Sequence, residues 1–296
     1  MTKSDLIKDI YFSNRGNPKL GLEVLTLESL FQRKIGQVLQ SPHRVHFYHL
    51  LFFTQGTGSH IIDFNKFDYD PLTLLLISKG QVQQFHVNPA NTGFVIIFTS
   101  EYLYANVTEL DLFHNLRVFE QALFAPSIQL SAEHKRKLLL IVQAMQAEFQ
   151  AAPDELSNEI LRHLLRVLLL EIERIQSASA VNQPVLRHYQ DFVAFRRLVE
   201  RDLGKSRSVH YYASQLAFSP KKLNELTRQV LNKTAKEFIE EQVVLESKRL
   251  LAQSDISIKE IAYQLGFNDP TNLVKFFKKH TQTSPAAFRK QFIPSA

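Results

Sequence analysis

The sequence has no cysteine and no tryptophan among its 296 residues, and it has only two methionines. Without cysteine the chain can form no disulfide, no thiolate metal site and no cysteine nucleophile. Long apolar runs are also missing, because the most hydrophobic segments, 138–145 and 164–172, are shorter than the roughly 20 residues of a membrane span. The charged segment 1–10 lacks the apolar core of a signal peptide. These absences predict a cytoplasmic protein with no membrane-spanning segment.

Charge is distributed unevenly along the chain. From Arg187 onward there are 19 lysines and arginines against 11 aspartates and glutamates, whereas the preceding part has 16 against 18. Lysine and arginine bind polyanions because they release the counterions that neutralise phosphates. The C-terminal third is therefore expected to bind nucleic acid. The uncharged segment 177–184 precedes this change in charge, and we predict a domain at 1–180, a linker at 181–188 and a second domain at 189–296.

The first domain begins with a region rich in β-branched and aromatic residues. Turn residues separate five predicted strands, which are 47–53, 60–64, 72–77, 83–87 and 94–98. The glycine-containing segment 55–59 is predicted to close a hairpin between the first two. Strands of this length and spacing are typical of a small β-barrel or sandwich.

After Ser131 the apolar residues recur at steps of three and four, which predicts helices. The second of these, 154–176, carries an apolar stripe that is too broad for one shallow contact. We expect it to pack against the barrel, a neighbouring helix or another subunit. The segment 131–176 is therefore a hypothetical dimerisation region, and a homodimer is expected.

The second domain is predicted to consist of helices whose starts carry capping signals. Three starts place a side-chain acceptor directly before a proline: Ser219-Pro220, Asp269-Pro270 and Ser284-Pro285. Two more have the spacing of a capping box: Thr234–Glu237 and Ser257–Glu260. Twice, a short helix precedes a tight turn and a second capped helix, at 219–230 and at 269–280. This order predicts two helix-turn-helix units joined by a connecting helix at 234–253.

From Tyr189 to Phe292 the sequence resembles the AraC/XylS family of transcription regulators. The residues that carry the resemblance are Ala213, Leu216, Ser219, Leu223, Leu245–Leu251, Ile258–Ala262, Leu265-Gly-Phe267, Phe277-Lys278 and Ser284–Arg289. The sequence departs from the family pattern at Asn232 and Gln282, where glycine is usual, and at Leu273, where an aromatic residue is usual. Asparagine tolerates a positive φ well and glutamine poorly, so Gln282 is the less suitable of the two replacements for glycine.

The resemblance implies which side chains contact DNA. Those expected at base edges are Lys221, Asn224, Glu225, Thr271, Asn272 and Lys275, whose groups can pair with adenine, guanine or cytosine. Those expected at phosphates are Lys222, Arg228, Lys278 and Lys279. Surface helices rich in lysine are more often simply solvated, and it is the paired units that favour DNA binding here.

The N-terminal region is similar to the cupin-like barrel in which many members of the family bind a small effector. Arg44, His46 and Tyr48 are expected to line such a pocket, although alternating strand residues explain them as well. A metal-dependent cupin enzyme is a rival, but His43 and His46 are three residues apart and so point to opposite faces of a strand. No acidic residue follows before Asp63, and we predict neither a metal nor another cofactor.

Together these patterns predict an α+β protein of two domains, a cupin-like β-barrel with a helical dimerisation segment and an all-α domain with two helix-turn-helix units. The expected function is sequence-specific binding of promoter DNA by an effector-responsive activator that also contacts RNA polymerase at the nucleoid. The alternatives are a metal-dependent cupin enzyme with a vestigial DNA-binding domain and a nonspecific nucleic-acid-binding protein.

Overall fold

A computed structural model of the chain describes residues 7–13, 21–33, 36–86, 88–103, 118–123, 125–179, 185–231, 233–253 and 256–291. The chain divides into two compact units, one formed by Lys8–Ala180 and the other mainly by Val181–Ala296. Within the described ranges, no helix is long and apolar enough to cross a membrane.

The N-terminal unit combines two β-sheets with helices, which confirms the α+β class. Its strands are β1 (Lys8–Ile10), β2 (Leu22–Thr26), β3 (His43–Val45), β4 (Tyr48–Gln55), β5 (Gly58–Ile62), β6 (Asn65–Tyr69), β7 (Thr73–Ile77), β8 (Val82–Phe85), β9 (Thr92–Phe98) and β10 (Ser127–Gln129). Its helices are α1 (Leu27–Phe31), α2 (Gly36–Leu39), α3 (Ser100–Leu103), α4 (Val118–Ala122), α5 (Ala132–Gln150) and α6 (Ser157–Ser179). The strands form two five-stranded sheets, in the orders β1-β3-β8-β5-β6 and β10-β7-β4-β9-β2. The predicted barrel is thus a pair of sheets that the described strands do not close into one ring.

The sheet that contains β4 is buried on both faces. Along β4, Leu51 and Phe53 pack into the apolar cluster shared with the other sheet. Leu50 and Phe52 pack into a second cluster, to which α5 and α6 contribute. Successive side chains of a strand point to opposite faces, so a strand between two apolar layers needs apolar residues in both registers. This requirement explains the nearly continuous apolar sequence of β4 and gives the unit three layers.

The segment 55–59 does not close a hairpin, and this prediction is wrong. It connects β4 and β5, which belong to different sheets. The hairpin lies one strand later, where β5 and β6 pair with Ile62 opposite Asn65. Its two turn residues, Asp63 and Phe64, have φ angles of 47° and 67°. Two successive positive φ values match the twist of the flanking strands, so the turn geometry fixes the hairpin here even with phenylalanine in the second position.

The two long helices of this unit begin at side-chain caps. The Ser131 hydroxyl accepts a hydrogen bond from the backbone N–H of His134 at the start of α5. Before α6, the Asp154 carboxylate accepts from the backbone N–H groups of Leu156 and Ser157, so the helix begins at Ser157 and not at the predicted residue 154. The helix continues to Ser179 and thus includes part of the uncharged segment. Residues 180–184 of that segment lie outside the described residues.

The C-terminal unit is entirely helical in its described residues. Its helices are α7 (Val185–Asp202), α8 (Val209–Gln215), α9 (Pro220–Leu231), α10 (Ala235–Gln253), α11 (Ile258–Gln264), α12 (Pro270–Thr281) and α13 (Pro285–Lys290). The predicted capping box at Ser257 is present, with both reciprocal hydrogen bonds to Glu260. Asp269 and Ser284 cap α12 and α13 through their side chains. The two predicted helix-turn-helix units are therefore α8 with α9 and α11 with α12.

The turns of the two units have the same geometry but differ in one residue. After α8 the N–H of Phe218 bonds to the carbonyl of Ala213 at 2.8 Å, and after α11 the N–H of Phe267 bonds to that of Ala262 at 2.9 Å. The residue before each phenylalanine has a positive φ, which is 54° at Ala217 and 71° at Gly266. Alanine is strained in this conformation and glycine is not.

Close packing against a neighbouring loop also requires glycine at position 266. A Cβ atom at this position would lie 2.6 Å from the carbonyl oxygen of Gly204, in the loop after α7. The two backbones can approach this closely only because both residues lack a side chain. Of the two departures from the family pattern at helix ends, Gln282 adopts the left-handed conformation, with a φ of 61°, and Asn232 lies outside the described residues.

We predict opposite effects of exchanging the turn residues. Gly266→Ala adds a Cβ against Gly204 and a strained φ, and should lower the free energy of unfolding by at least about 1–2 kcal/mol. Ala217→Gly relieves the same strain and should raise it by about 0.5–1 kcal/mol after the entropy of the added glycine is subtracted. Urea unfolding followed by circular dichroism measures both values. Destabilisation of equal size in the two variants would contradict this account.

Candidate DNA interface and ligand cavity

The second recognition helix, α12, separates an apolar face from a polar face. Leu273 and Phe277 are fully buried, and Phe277 packs edge to face against Phe288 of α13 with ring centroids 5.6 Å apart. The exposed residues are Thr271, Asn272, Lys275, Lys278, Lys279 and His280. The three lysines form no ion pair with any described residue. The face predicted to contact DNA is therefore open and basic.

The N-terminus of α12 is fixed by Asp269. Its carboxylate accepts a hydrogen bond of 2.7 Å from the backbone N–H of Thr271. This bond lowers the pKa of Asp269, and the positive charge of Lys275 adds to the effect. A short, charge-assisted cap holds the first turn in place. Thr271 and Asn272 are thus presented on a well-defined helix end.

The first recognition helix, α9, has side chains that already interact within the domain. Lys221 and Glu225 are both exposed, and Nζ of Lys221 lies 4.0 Å from Oε1 of Glu225. The Lys222 ammonium lies 3.6 Å from the Asp191 carboxylate and 3.6 Å from the ring centroid of Phe218. Arg228 is exposed in the last turn. Contacts with DNA at Lys222 therefore compete with contacts that support the turn of the first unit.

Asn224 differs from the other residues predicted at base edges. It is half-buried, and its Nδ2 donates to the carbonyl of Pro220 at 3.0 Å. Its Oδ1 accepts a 3.0 Å hydrogen bond from the backbone N–H of Ala235, the first residue of α10. The amide is thus fixed within α9 through Nδ2 and joins α9 to the connecting helix through Oδ1. This role requires an amide at position 224 whether or not the residue also meets a base.

The connecting helix α10 is held near both ends, by α9 at the N-terminus and by α13 at the C-terminus. Asn224 binds its N-terminus, and Arg289 of α13 donates to the carbonyls of Leu251 and Ile256 at 3.2 and 2.8 Å near its C-terminus. Phe238 lies in its buried face, with ring centroids 5.4 Å from those of Phe192 and Phe195 in α7. These contacts fix the separation of α9 and α12.

The N-terminal unit contains a cavity of about 130 Å³ between the two sheets and the chain before and after β2. Its lining residues are Ile10, Tyr11, Phe12, Ser13, Glu23, Leu30, Arg33, Leu39, His43, Phe47, His49, Gln83, Phe85, Val95 and Ile97. Most of these side chains are apolar. Of the few polar residues, Glu23, His43, His49 and Gln83 are buried, and an apolar lining with a few polar groups is the usual composition of a small-molecule site.

The three residues predicted from the sequence to line a pocket do not line this one. On β3, His43 and Val45 are buried and Arg44 points the other way. His46 stacks on Tyr11 and lies 2.7 Å from the Asp9 carboxylate. Tyr48 packs on Phe98 and Phe119 in the cluster on the helical side of its sheet. The cavity instead takes His43, Phe47 and His49, which lie in the opposite register.

Three buried histidines meet at one glutamine. Oε1 of Gln83 lies 2.9 Å from Nε2 of His49 and 2.9 Å from Nε2 of His60. Nε2 of Gln83 lies 3.0 Å from Nε2 of His43. His43 also contacts the Ser41 carbonyl through Nδ1, at 2.9 Å. A carbonyl only accepts, so His43 carries its proton on Nδ1 and its Nε2 must accept from the amide N–H of Gln83. The amide oxygen of Gln83 therefore accepts from both other rings.

This assignment leaves one acceptor without a partner. With its proton on Nε2, His49 has a lone pair on Nδ1, and no described residue donates to that atom. Burial lowers the pKa of His43 to about 4. Burial and the proximity of the other histidines lower the pKa values of His49 and His60 to about 3. All three rings are therefore neutral near neutral pH, and Nδ1 of His49 accepts and does not donate.

The other polar pair in the cavity is Glu23 with Arg33. Both carboxylate oxygens of Glu23 accept from the Arg33 guanidinium, at 3.1 and 3.2 Å. Glu23 is almost fully buried, whereas Arg33 is partly exposed. A bidentate pair of this kind satisfies both charges. In the described residues, no group of three side chains has the arrangement of a metal site.

Comparison with known proteins assigns both units. A family model for an AraC-like ligand binding domain matches residues 25–165, and one for a helix-turn-helix domain matches residues 212–291. The chain belongs to the AraC/XylS family. It is a DNA-binding transcription regulator with an N-terminal ligand-binding domain, as the resemblance implies.

Relatives of this AraC-family regulator include proteins that it matches over different lengths. The HTH-type transcriptional regulator YfiF of Bacillus subtilis is 20% identical over 264 residues, which cover 84% of this chain and 79% of that protein. The Msm operon regulatory protein of Streptococcus mutans is 31% identical over 96 residues, which cover 32% of this chain and 34% of that protein. The structure of ToxT from Vibrio cholerae with a bound unsaturated fatty acid covers 91% of this chain at 12% identity and a TM-score of 0.45.

The cavity residues of the regulator could be found only in part from its sequence. His49 stands at an inward position of an otherwise apolar strand, and this is a signal for a functional polar group. Gln83 and His60 give no such signal, because their roles depend on which strands are neighbours. Glu23 and Arg33 lie before the region in which strands were predicted.

We predict that acid destabilises the ligand-binding domain. The folded pKa values of His43, His49 and His60 lie below the unfolded value, so the unfolded chain binds more protons between about pH 6.5 and pH 4. As the pH falls through that window, the free energy of unfolding should decrease by up to about 1.4 kcal/mol per pH unit for each histidine. Urea unfolding at several pH values measures the slope.

Single substitutions assign this slope to the buried histidines. His60→Leu should reduce it by one proton. His210→Gln, which removes an exposed histidine of α8, should leave it unchanged. An equal slope in the wild type and in His60→Leu would mean that other groups control the acid response.

Proposed function

We propose that this protein is an effector-responsive activator that inserts α9 and α12 into successive major grooves of promoter DNA. The observation that carries the proposal is the attachment of two helix-turn-helix units to the two ends of one helix. The 19 residues of α10 span about 28 Å, and successive major grooves are roughly 34 Å apart. A helix of this length suits two readers that bind one face of the duplex.

The two recognition helices make different contributions in this proposal. Thr271, Asn272 and Lys275 of α12 meet base edges, and Lys278 and Lys279 meet phosphates. In α9, Lys221 and Glu225 meet base edges, and Lys222 and Arg228 meet phosphates. Asn224 is assigned first to holding α10, because its amide is already engaged there. The open polar face of α12 supports a larger share of sequence readout in the second unit.

The cavity between the sheets is the proposed effector site. Its lining is mostly apolar with a few polar groups, and ten of its fifteen lining residues lie in the range matched by the ligand-binding family model. An activator at a promoter also contacts RNA polymerase, and we propose RNA polymerase as a protein partner. In this proposal, the protein binds its effector and promoter DNA in the bacterial cytoplasm, in association with the chromosome.

A second copy of the chain is the proposed partner of α6. Its large exposed apolar residues are Ile160, Val167 and Leu170, and Leu156 precedes the helix on the same face. With the exposed His163 and Arg174, these positions alternate in steps of four and three residues. That spacing is typical of the seam between two paired helices. Homodimerisation through this seam would bring two DNA-binding domains to one promoter.

Two rivals account for less of the molecule. A cupin enzyme would leave the two complete helix-turn-helix units without a role, and the transcription regulators among the relatives favour a regulator without catalytic activity. A nonspecific nucleic-acid-binding protein would need only the positive charge. The rigid spacing of α9 and α12 and the capped end of α12 favour a defined site.

Selection of bound fragments from random DNA tests the specific function. A regulator of this kind should enrich two short half-sites about one helical turn, or roughly 10 base pairs, apart. Equal recovery of all sequences, with a salt dependence that accounts for the whole affinity, would favour the nonspecific rival.

Two substitutions in α12 separate base contacts from phosphate contacts. Asn272→Ala should relax specificity within one half-site and weaken binding to the selected sequence by about 1–3 kcal/mol. Lys278→Ala should weaken binding to selected and random DNA alike and reduce the salt slope by about 1. Titrations of both variants against both DNAs measure these effects. If the two variants behave identically, the assignment of their contacts fails.

The dimer seam is tested by a charge placed on it. Leu170→Glu puts a carboxylate at a position that the second copy buries, and should weaken self-association at least tenfold. Gln143→Glu adds the same group to the exposed face of α5 and should have no effect. Sedimentation of the full chain measures the dissociation constant. An unchanged constant in Leu170→Glu would place the dimer interface elsewhere.

A further inference from the structure

We infer that the loop 203–208, between α7 and α8, fixes the second helix-turn-helix unit to the first and so sets the spacing at which the protein reads its two half-sites. The positioning residue of this loop is Arg207. The inference rests on the proposed function, because it concerns the two half-sites expected there. Three observations carry it: the attachment of the loop to the first unit, its backbone contact with the second unit, and the contacts of the Arg207 side chain.

The loop is attached to the helices on both sides of it. At the end of α7, the backbone N–H groups of Lys205 and Ser206 donate to the carbonyl of Asp202, at 2.8 and 3.2 Å. The Asp202 carboxylate accepts from the hydroxyl of Tyr211 in α8 at 3.0 Å. The hydroxyl of Tyr212, also in α8, donates to the carbonyl of Ser206 at 2.5 Å. Because α8 is the first helix of the first unit, the loop moves with that unit.

The backbone of the loop lies directly against the second unit. A Cβ atom at Gly204 would lie 2.3 Å from the carbonyl oxygen of Gln264, the last residue of α11. The carbonyl oxygen of Gly204 in turn limits the space at Gly266, in the turn between α11 and α12. The two segments are far apart in the sequence but meet here without an intervening side chain. Contacts this close resist a rotation of one unit against the other, because packed backbones have no space to give.

Arg207 extends this contact into the turn of the second unit. Its guanidinium lies 3.7 Å from the ring centroid of Phe267 and donates to the carbonyl of Gly266 at 3.3 Å. Phe267 is buried and contacts Phe276 of α12, with ring centroids 5.6 Å apart. A planar guanidinium can stack on a ring and donate from its edge at the same time, so it defines both position and orientation. Rotation of α12 against the first unit requires these contacts to break.

A second attachment matters because one helix alone leaves a rotation undetermined. The connecting helix α10 sets the distance between the units, and the loop contacts the second unit away from that helix. Two attachments at different places fix the orientation as well as the distance. One base pair of DNA corresponds to a shift of about 3.4 Å and a rotation of about 35°. A rigid pair of readers is therefore expected to accept one spacing and to reject its neighbours.

DNAs that differ only in half-site spacing test the inference with the full chain. They carry the two selected half-sites at the selected spacing, or with one base pair added or removed. The wild type should lose at least about tenfold in affinity on either change. Arg207→Gln should bind the selected spacing roughly threefold more weakly and should lose less than about threefold on either change, because its second unit can rotate to reach the displaced half-site.

Two further variants control for charge and for side-chain identity. Arg201→Gln removes the same charge from an exposed side chain whose hydrogen bonds in the described residues go to Asp202. It should keep the spacing dependence of the wild type. Gly204→Ala places a Cβ against the carbonyl of Gln264, and should reduce the spacing dependence as Arg207→Gln does. Circular dichroism checks that each variant is folded.

The results that would overturn the inference differ in their meaning. A spacing dependence that persists in Arg207→Gln, with a salt slope reduced by about 1, would make Arg207 a phosphate contact and leave the proposed function intact. Loss of the dependence in Arg201→Gln as well would assign the effect to charge. A wild type that binds all spacings equally would overturn both the inference and the arrangement of two readers on one site.

Discussion

The DNA-binding domain depends on the attachment of both recognition units to the ends of α10. Asn224 of α9 accepts from the N–H of Ala235, and Arg289 of α13, the helix after the second unit, donates to the carbonyl of Leu251 in the last turn of α10 and to that of Ile256 just beyond it. Hydrogen bonds to helix ends satisfy groups that have no partner within the helix, so they are strong and directional. The phenylalanine cluster around Phe238 holds the middle of the same helix. The separation of the two readers is thus a property of the fold and needs no DNA to establish it.

The two units share a backbone design and differ in how they are stabilised. Each turn phenylalanine is covered by a cation, with Lys222 3.6 Å above Phe218 and Arg207 3.7 Å above Phe267. In the first unit this cation belongs to the recognition helix itself. In the second unit it comes from the loop before α8, so the lysines of α12 remain open. The same structural need therefore engages a cation of the recognition helix in one unit only.

The sequence predicted the C-terminal domain better than the sensor cavity. Caps such as Ser257 and Asp269 and the turn at Gly266 are local signals, and they determine local structure whatever surrounds them. The cavity depends on register and on strand neighbours. The motif around His43 was recognised, but Arg44, His46 and Tyr48 lie in the opposite register from the side chains that line the cavity. The meeting of His43, His49 and His60 at Gln83 joins three other strands to β8, and no periodicity within one segment reveals it.

The burial of the central sheet on both faces also determines the distance between the proposed effector cavity and the proposed dimer seam. His49 faces the cavity, and its neighbour Leu50 lies in the apolar cluster that includes Leu165 and Leu168 of α6. The exposed seam residues of α6 are on the other side of that helix. The proposed effector cavity and the proposed dimer seam are therefore separated by one strand and one helix. If both sites act as proposed, β4 is the element they share, because it lines the cavity on one face and supports α6 on the other.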